Sequence, residues 1–186
     1  METLNIEKEK AINAYQQGSE EQKKVLEQLF GKETFRPKMV TDRIKTFNDA
    51  LKELGPNHIL VKEYNVINNN MTTLSMKYYS RLCIITAALN EGWRPKFVEG
   101  EKRYFPYFRL YSSEKIRQMS EEEKSRVVYR SLYSANANGG VSYACAAYDS
   151  AYVYASIGSR LAFKTNELAK YAGKQFGKLY ANYLDI

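Results

Sequence analysis

The spacing of apolar residues changes at Asn90, and this change limits the folds that the chain can adopt. Before Asn90, apolar residues recur at three- and four-residue intervals, which predicts amphipathic helices. After it, residues 103–111 (RYFPYFRLY) alternate aromatic and other side chains, which predicts a strand. The sequence therefore predicts an α+β fold, with a helical part over residues 1–90. Residues 91–186 would form a mixed part with a small, irregular antiparallel sheet, and we expect the two parts to make one compact unit.

The helical part carries clear start and stop signals. Residues 6–17 form a short amphipathic stretch that ends at Gly18, and Ser19 with Gln22 is a capping-box pattern that opens a helix closed by Gly31. The apolar face of this helix is Val25, Leu26, Leu29 and Phe30. The next helix is predicted over residues 40–54, from the spacing of Val40, Ile44, Phe47, Leu51 and Leu54.

Two further helices complete the helical part. A shorter helix is predicted at 57–67, followed by a loop at the asparagines 68–70. Residues 74–89 are the most apolar helix, and its candidate core residues are Leu82, Ile84, Ile85, Ala88 and Leu89.

The mixed part is expected to combine short helices and strands. A short helix is predicted at 113–120, a second capping box begins at Ser120, and strands are predicted at 126–131 and 159–164. Thr165 caps a final helix that runs to about Leu184. The buried side of that helix is predicted to be Leu168, Ala172, Phe176, Leu179 and Tyr183.

The chain has 21 Asp and Glu residues but lacks the usual sequence motifs of catalytic and metal sites. His58 is the only histidine, and it lies in a helical pattern with no serine or cysteine signature beside it, so we expect a structural or surface role. The sequence has no HExxH motif, no paired CxxC motif, no calcium loop and no phosphate-binding loop. We therefore expect no enzymatic activity, no metal and no cofactor.

The cysteines and the N-terminus bear on the cellular compartment. Cys83 and Cys145 are far apart in sequence, and Cys83 lies in an apolar run that predicts a buried free thiol and a reducing compartment. The N-terminus lacks the apolar centre of a signal peptide, and no run is long enough to span a membrane. We expect a protein made in the cytoplasm with no membrane partner, and association with a virion released by lysis is compatible with this.

Residues 131–158 (SLYSANANGGVSYACAAYDSAYVYASIG) are the most unusual part of the sequence. Asp149 is the only charged residue among them, in a chain that is 26% charged. Tyrosine offers a large contact area with few rotatable bonds, and Ser, Asn and Gly add adaptable hydrogen bonds, which is the mixture that binding surfaces use. The alternative is a tyrosine-rich sheet core. A disordered segment is not expected, because Gly and Pro are scarce and the flanking sequence is strongly patterned.

The sequence that frames this segment resembles the end of a C-type-lectin-like domain. The resemblance is carried by RVVYRS at 126–131, by the glycines at 139 and 140, and by GSRLAF at 158–163. It is similar to the domain of formylglycine-generating proteins and of the variable proteins of diversity-generating retroelements. There, an exposed ligand-binding stretch precedes a closing strand, which the resemblance places at residues 158–162. Cys145 has no cysteine partner here, so the oxidase activity of formylglycine-generating enzymes is not carried over.

The whole chain also resembles uncharacterised proteins of gut Bacteroidales and their phages, through the blocks NEGWRPKF, YFPYFRLY and SRLAFKTNELAKYAGKQF. In diversity-generating retroelements, mutagenesis acts on adenines. An AAC codon mutated at its adenines yields Tyr, Ser, Asp and Ala, which are the residues that fill this segment.

The sequence thus predicts a non-enzymatic recognition protein with a protein or glycan ligand. The candidate ligand-binding residues are Tyr133, Asn136, Asn138, Tyr143, Tyr148, Asp149, Tyr152 and Tyr154. Arg160, Leu161 and Phe163 are expected to be scaffold, with Arg160 bonded to backbone carbonyls or to an acidic partner. The alternative is a structural or assembly protein of a phage or mobile element, in which the aromatic segment is a homo-oligomer interface.

A third hypothesis concerns the basic residues, since the net charge is +7. Lys170, Lys174 and Lys178 line one helix face and could bind a polyanion. The simpler interpretation is a solvated face, and nucleic acid is not the expected partner.

Overall fold

The described part of the chain contains mostly helices and one pair of strands. The computed structural model describes residues 5–70, 72–96, 98–127, 139–149 and 159–184. Contacts divide the chain into two units, Met1–Arg43 and Ile44–Ile186. The mixture of helices with a strand pair agrees with the α+β class in its broad sense.

The first unit consists of short helices with few buried side chains. They are α1 (Lys8–Gln17), α2 (Glu20–Phe30), α3 (Lys32–Phe35) and α4 (Val40–Arg43). The capping box at Ser19 and the stop at Gly31, where φ is 79°, are confirmed. Among the described residues of this unit only Ala11 and Val40 are buried. The apolar side of α2 is therefore largely open, with Val25 53% and Leu29 69% exposed.

The second unit is built around one central helix. Its elements are α5 (Phe47–Leu54), α6 (Ile59–Asn69), α7 (Leu74–Leu89), β1 (Arg103–Ser112), α8 (Ser113–Arg117), α9 (Glu121–Ser125), β2 (Gly139–Asp149), a 3₁₀ turn (Ser159–Leu161), α10 (Asn166–Gln175) and α11 (Gly177–Leu184). Helix α7 contacts α5, α6, α10, α11 and the 3₁₀ turn. Its predicted bounds are confirmed, and all its candidate core residues are buried. Helix α7 packs against helices from both sides of residue 90, and the division by contacts falls at residue 43.

The single helix predicted over residues 40–54 is wrong, because the chain leaves the helical conformation between α4 and α5. The carbonyls of Ile44 and Lys45 accept hydrogen bonds from Tyr171 Oη (2.6 Å) and Gln175 Nε2 (2.7 Å) of α10. Thr46 then starts α5 with a capping box to Asp49. Ile44 keeps its predicted burial although it is not in a helix.

Several other boundaries differ from the expectation. Helix α6 continues through Asn69, so only Asn70 of the predicted loop lies outside it. The final helix begins with the predicted cap at Thr165 and ends at Leu184, but it is interrupted at Phe176, just before the low-propensity Gly177. Most of the predicted strand at 126–131 lies outside the described residues.

The strand predicted at 159–164 is also wrong. Residues Ser159–Leu161 form the 3₁₀ turn, and Phe163 makes only an isolated bridge to Tyr104. Leu161, Ala162 and Phe163 are all buried. Ala162 and Phe163 follow the turn, and no longer strand forms there because the Asn90 side chain takes the hydrogen bonds of Ala162 O and Lys164 N.

Candidate functional site: the sheet of β1 and β2

The candidate site is the two-stranded sheet that contains the described part of the tyrosine-rich segment. Strands β1 and β2 are antiparallel, from the pair Arg103 and Asp149 to the pair Ser112 and Gly139. Tyr107 pairs with Cys145 and Phe108 with Tyr143, so Ala144 is an extra residue in β2 and forms a β-bulge. The other edge of β1 bonds Phe163, since Tyr104 N donates to Phe163 O (3.0 Å) and Phe163 N donates to Tyr104 O (2.9 Å).

One side of this sheet is covered by the C-terminal helices. Helix α10 contacts both strands, and α11 contacts β2. The Phe108 ring lies 5.1 Å from the Tyr180 ring of α11. Because side chains alternate along a strand, positions 104, 106, 108 and 110 of β1 belong to this helix-facing side.

The opposite side of β1, which we call the outer side, begins at Arg103, which is buried, and then carries Phe105, Tyr107, Arg109 and Tyr111. Tyr107 is 43% exposed and Arg109 is also exposed, while Phe105 and Tyr111 are partly exposed. The Arg109 guanidinium lies 5.6 Å from the centre of the Tyr111 ring, a cation–π contact. The β2 positions opposite these residues hold the small residues Ala147, Cys145, Ser142 and Gly140. The outer side is therefore an aromatic row with an arginine and small cross-strand neighbours.

Three of the sequence-predicted ligand-binding residues lie in β2, and the register gives their positions. Tyr143 is opposite Phe108, Tyr148 is opposite Tyr104, and Asp149 is opposite Arg103. Directly opposed residues of an antiparallel pair lie on the same side of the sheet. Positions 143 and 148 thus belong to the helix-facing side and position 149 to the outer side. The remaining candidates lie outside the described residues: Tyr133, Asn136, Asn138, Tyr152 and Tyr154.

The residues expected to be scaffold lie in the segment that contains the 3₁₀ turn and the bridge to β1. Leu161 and Phe163 are buried. Arg160 is exposed, and its Nη1 lies 3.4 Å from Glu63 Oε2, so its acidic partner is on α6. Asn90 ties the end of α7 to the same segment, because its Nδ2 donates to Ala162 O (2.8 Å) and its Oδ1 accepts from Lys164 N (3.0 Å).

The described side chains offer little chemistry of a catalytic kind. His58 caps α6, with Nδ1 accepting from Leu60 N at 3.2 Å, which is a structural role. Cys83 is a buried free thiol as predicted, and burial raises its pKa to about 11. A thiol with such a pKa is almost fully protonated at neutral pH and is a poor nucleophile. In the described ranges no group of three or more His, Cys, Asp and Glu residues could hold a metal ion.

The lysines of the third hypothesis lie on the two helices that cover the other side of the sheet. Lys170 and Lys174 belong to α10 and Lys178 to α11, and all three are exposed. A polyanion on these lysines would therefore be bound by the covering helices and would not need the outer side. Within the part of the chain that the structure describes, no helix is long and apolar enough to cross a membrane.

Sequence reasoning identified β1 as a strand but missed its outer side as a site. The signal was present in RYFPYFRLY, because Arg109 is in phase with Phe105, Tyr107 and Tyr111 at alternate positions. Alternation alone does not tell which side the helices cover. The contact of Phe108 with Tyr180 supplies that information.

Comparisons with known proteins assign no family to the chain. No family model, no curated protein and no solved structure matches it. The features that bear on function are therefore the sheet and the sequence of residues 131–158.

Proposed function

We propose that this protein is a non-enzymatic recognition protein. It binds a protein or glycan ligand through residues 131–158, held on a C-type-lectin-like frame. In this proposal the segment is diversified between related genes, and the protein is associated with a phage.

The observation that supports this proposal best is the open aromatic side of the sheet into which the segment folds. Strand β2 is the described part of the segment, and its partner β1 exposes Tyr107 and Arg109 on the outer side. In a sheet that only closed a core, we would expect the aromatic residues to be buried. Exposed aromatic residues with arginine are typical of binding surfaces.

The register divides the candidate residues into two groups with different expected roles. Positions 143 and 148 belong to the side of the sheet that α10 and α11 cover, so we expect Tyr143→Ala to lower the melting temperature clearly. Tyr152 and Tyr154 are proposed to contact the ligand. The double variant Tyr152→Ala, Tyr154→Ala should keep the melting temperature within a few degrees and lose ligand binding.

Thermal unfolding followed by circular dichroism measures the first property, and binding to ligands found on glycan and protein arrays measures the second. A melting temperature that falls as far in the double variant as in Tyr143→Ala would mean that these tyrosines are core residues. The display hypothesis would then fail.

The diversification part of the proposal has a test that needs no ligand. The gene can be sequenced across many isolates, together with its surroundings. Substitutions concentrated at adenines of codons 131–158, with a template copy near a reverse transcriptase gene, are the expected result. A uniform sequence without a template would remove the retroelement from the proposal and leave a fixed surface.

The alternative function is assembly of a phage or mobile-element particle. It is favoured by the open apolar residues Val25 and Leu29, which are four positions apart on α2. Light scattering after size-exclusion chromatography over a hundredfold range of concentration would test it. A concentration-dependent oligomer that Leu29→Lys dissociates supports assembly, whereas a monomer at all concentrations supports recognition.

A further inference from the structure

We propose that the outer side of β1 binds single-stranded nucleic acid, with Tyr107 stacking on a base and Arg109 contacting phosphate. This inference goes beyond the recognition function proposed above. It uses the same exposed side of β1 that supports the recognition function, but its test changes residues of β1, whereas the recognition test changes residues of the tyrosine-rich segment, so failure of one proposal can be told from failure of the other.

The first step is the accessibility of the rings. Tyr107 is 43% exposed in the middle of the row, and Phe105 and Tyr111 on either side are partly exposed. The residues paired with them across the sheet are the small residues Ala147, Cys145 and Gly140. Aromatic residues on the open side of a sheet are the usual platforms on which unpaired bases stack.

The second step is the spacing of the platform. Residues two apart on a strand are separated by about 6.7 Å. That is about twice the rise of 3.4 Å per nucleotide in a stacked strand. A row at this spacing fits bases that are separated from one another and lie on protein rings, which only an unpaired strand can provide.

The third step is charge. The Arg109 guanidinium lies 5.6 Å from the centre of the Tyr111 ring, and the side chain is exposed, so its donors are accessible from solvent. Further exposed cations stand at the two ends of the strand, with Lys102 before β1 and Lys115 and Arg117 in α8 after it. Helix α8 contacts both strands, so its cations lie next to the sheet. A backbone of phosphates along the row would meet Arg109 within the row and the cations of α8 at its C-terminal end.

These features favour a single strand over a duplex. A duplex hides its bases in the stack and presents grooves that are read by a helix or a ribbon of strands inserted into them. The pair of β1 and β2 is covered on one side by α10 and α11, so it is not a free ribbon that could enter a groove. The lysines at 170, 174 and 178 lie on the covering helices, and they provide the natural control surface.

The test measures binding of fluorescein-labelled dT20 to the full chain by fluorescence anisotropy, at 50 and 200 mM salt. We expect binding that weakens with salt, and weaker binding of a hairpin duplex of equal charge. Tyr107→Ala should weaken dT20 binding about five- to 150-fold, which is the usual loss for one stacking ring. Tyr107→Phe, which keeps the ring, should bind within about twofold of the natural protein.

Two further variants keep the test decisive if Tyr107→Ala does not fold. Arg109→Gln changes an exposed side chain, so it should fold normally, weaken binding and reduce the salt dependence by about one phosphate contact. The triple variant Lys170→Gln, Lys174→Gln, Lys178→Gln should keep most of the affinity. Circular dichroism confirms the fold of each variant.

Three results would overturn the proposal. The first is that dT20 does not bind at 50 mM salt. The second is that a folded Tyr107→Ala or Arg109→Gln variant binds dT20 as tightly as the natural protein. The third is that the duplex binds more tightly than dT20. A loss of binding confined to the triple lysine variant would assign the polyanion to the covering helices and would also reject the outer side. None of these results bears on the ligand of residues 131–158, which the tyrosine variants test separately.

Discussion

Asn90 lies at the C-terminal end of α7, and its side chain is almost fully buried, with 3% of the residue exposed. Its amide donates to Ala162 and accepts from Lys164, so it satisfies two backbone groups of the segment that leads from the 3₁₀ turn to α10. Phe163, between those two residues, bridges to β1. One side chain thus joins the central helix to the strand that supports the candidate site.

Asn90→Ala should therefore lower the free energy of unfolding by about 2 kcal/mol or more, because it leaves a buried carbonyl and a backbone amide without partners. Urea unfolding followed by tyrosine fluorescence or circular dichroism measures this. The matched control is Asn65→Ala, which removes an exposed amide from α6 and should change stability by less than about 0.5 kcal/mol. Equal effects of the two changes would contradict the role given to Asn90.

The position of Asn90 in the chain could be read from the sequence, but its role could not. The sequence placed it where helical spacing ends, and the structure agrees. Its partners lie 72 and 74 residues further along. No local pattern encodes a contact at that separation. The same limit explains why the exposure of Tyr107 was missed, since exposure depends on which side of the sheet α10 and α11 cover.

At the scale of elements, the sequence predicted helix starts correctly where the capping hydrogen bonds join residues only a few positions apart. The boxes at Ser19 and Ser120, the cap at Thr165 and the strand β1 were all predicted. The failures occurred where distant contacts compete with local preference. The continuous spacing from Val40 to Leu54 indicated one helix, but α10 binds the carbonyls of Ile44 and Lys45 and interrupts it.

The capping box of α5 gives a prediction about stability and pH. The hydrogen bond from the Thr46 hydroxyl, 2.8 Å from Asp49 Oδ2, is the main reason why the pKa of Asp49 lies below its usual value. A carboxyl group whose pKa is lowered in the folded state stabilises the fold above its unfolded pKa, near 3.9, and loses this contribution as the pH falls through the folded pKa. Thr46→Ala should cost about 1 kcal/mol at pH 7, and less at pH 2 to 3.

Urea unfolding of both proteins at pH 7 and at pH 3 tests this pair of expectations. The control is Thr46→Ser, which keeps the hydroxyl and should retain most of the stability and its pH dependence. A cost that is the same at both pH values would mean that the box contributes through Thr46 alone and not through the Asp49 carboxylate.

At the scale of the molecule, the two units differ in how much of their surface they bury. The described residues of Met1–Arg43 include two buried side chains. In α7 alone, every residue from Leu82 to Leu89 is buried except Ala87. The helices α1 and α2 have 10 and 11 residues, which is too short for stable isolated helices in water. The second unit contains the central helix, the sheet and the helices that cover it.

Residues 44–186 should therefore fold without the first unit, and residues 1–43 alone should be largely unstructured. The two fragments can be expressed separately and compared with the full chain by circular dichroism and thermal unfolding. We expect a single cooperative transition for residues 44–186, within about 10 °C of the full chain, and little helical signal for residues 1–43. Because both proposed surfaces belong to the second unit, the larger fragment should also keep any binding of dT20. A fragment 44–186 without a cooperative transition would mean that the first unit supplies part of the core. The two units would then not fold independently of each other.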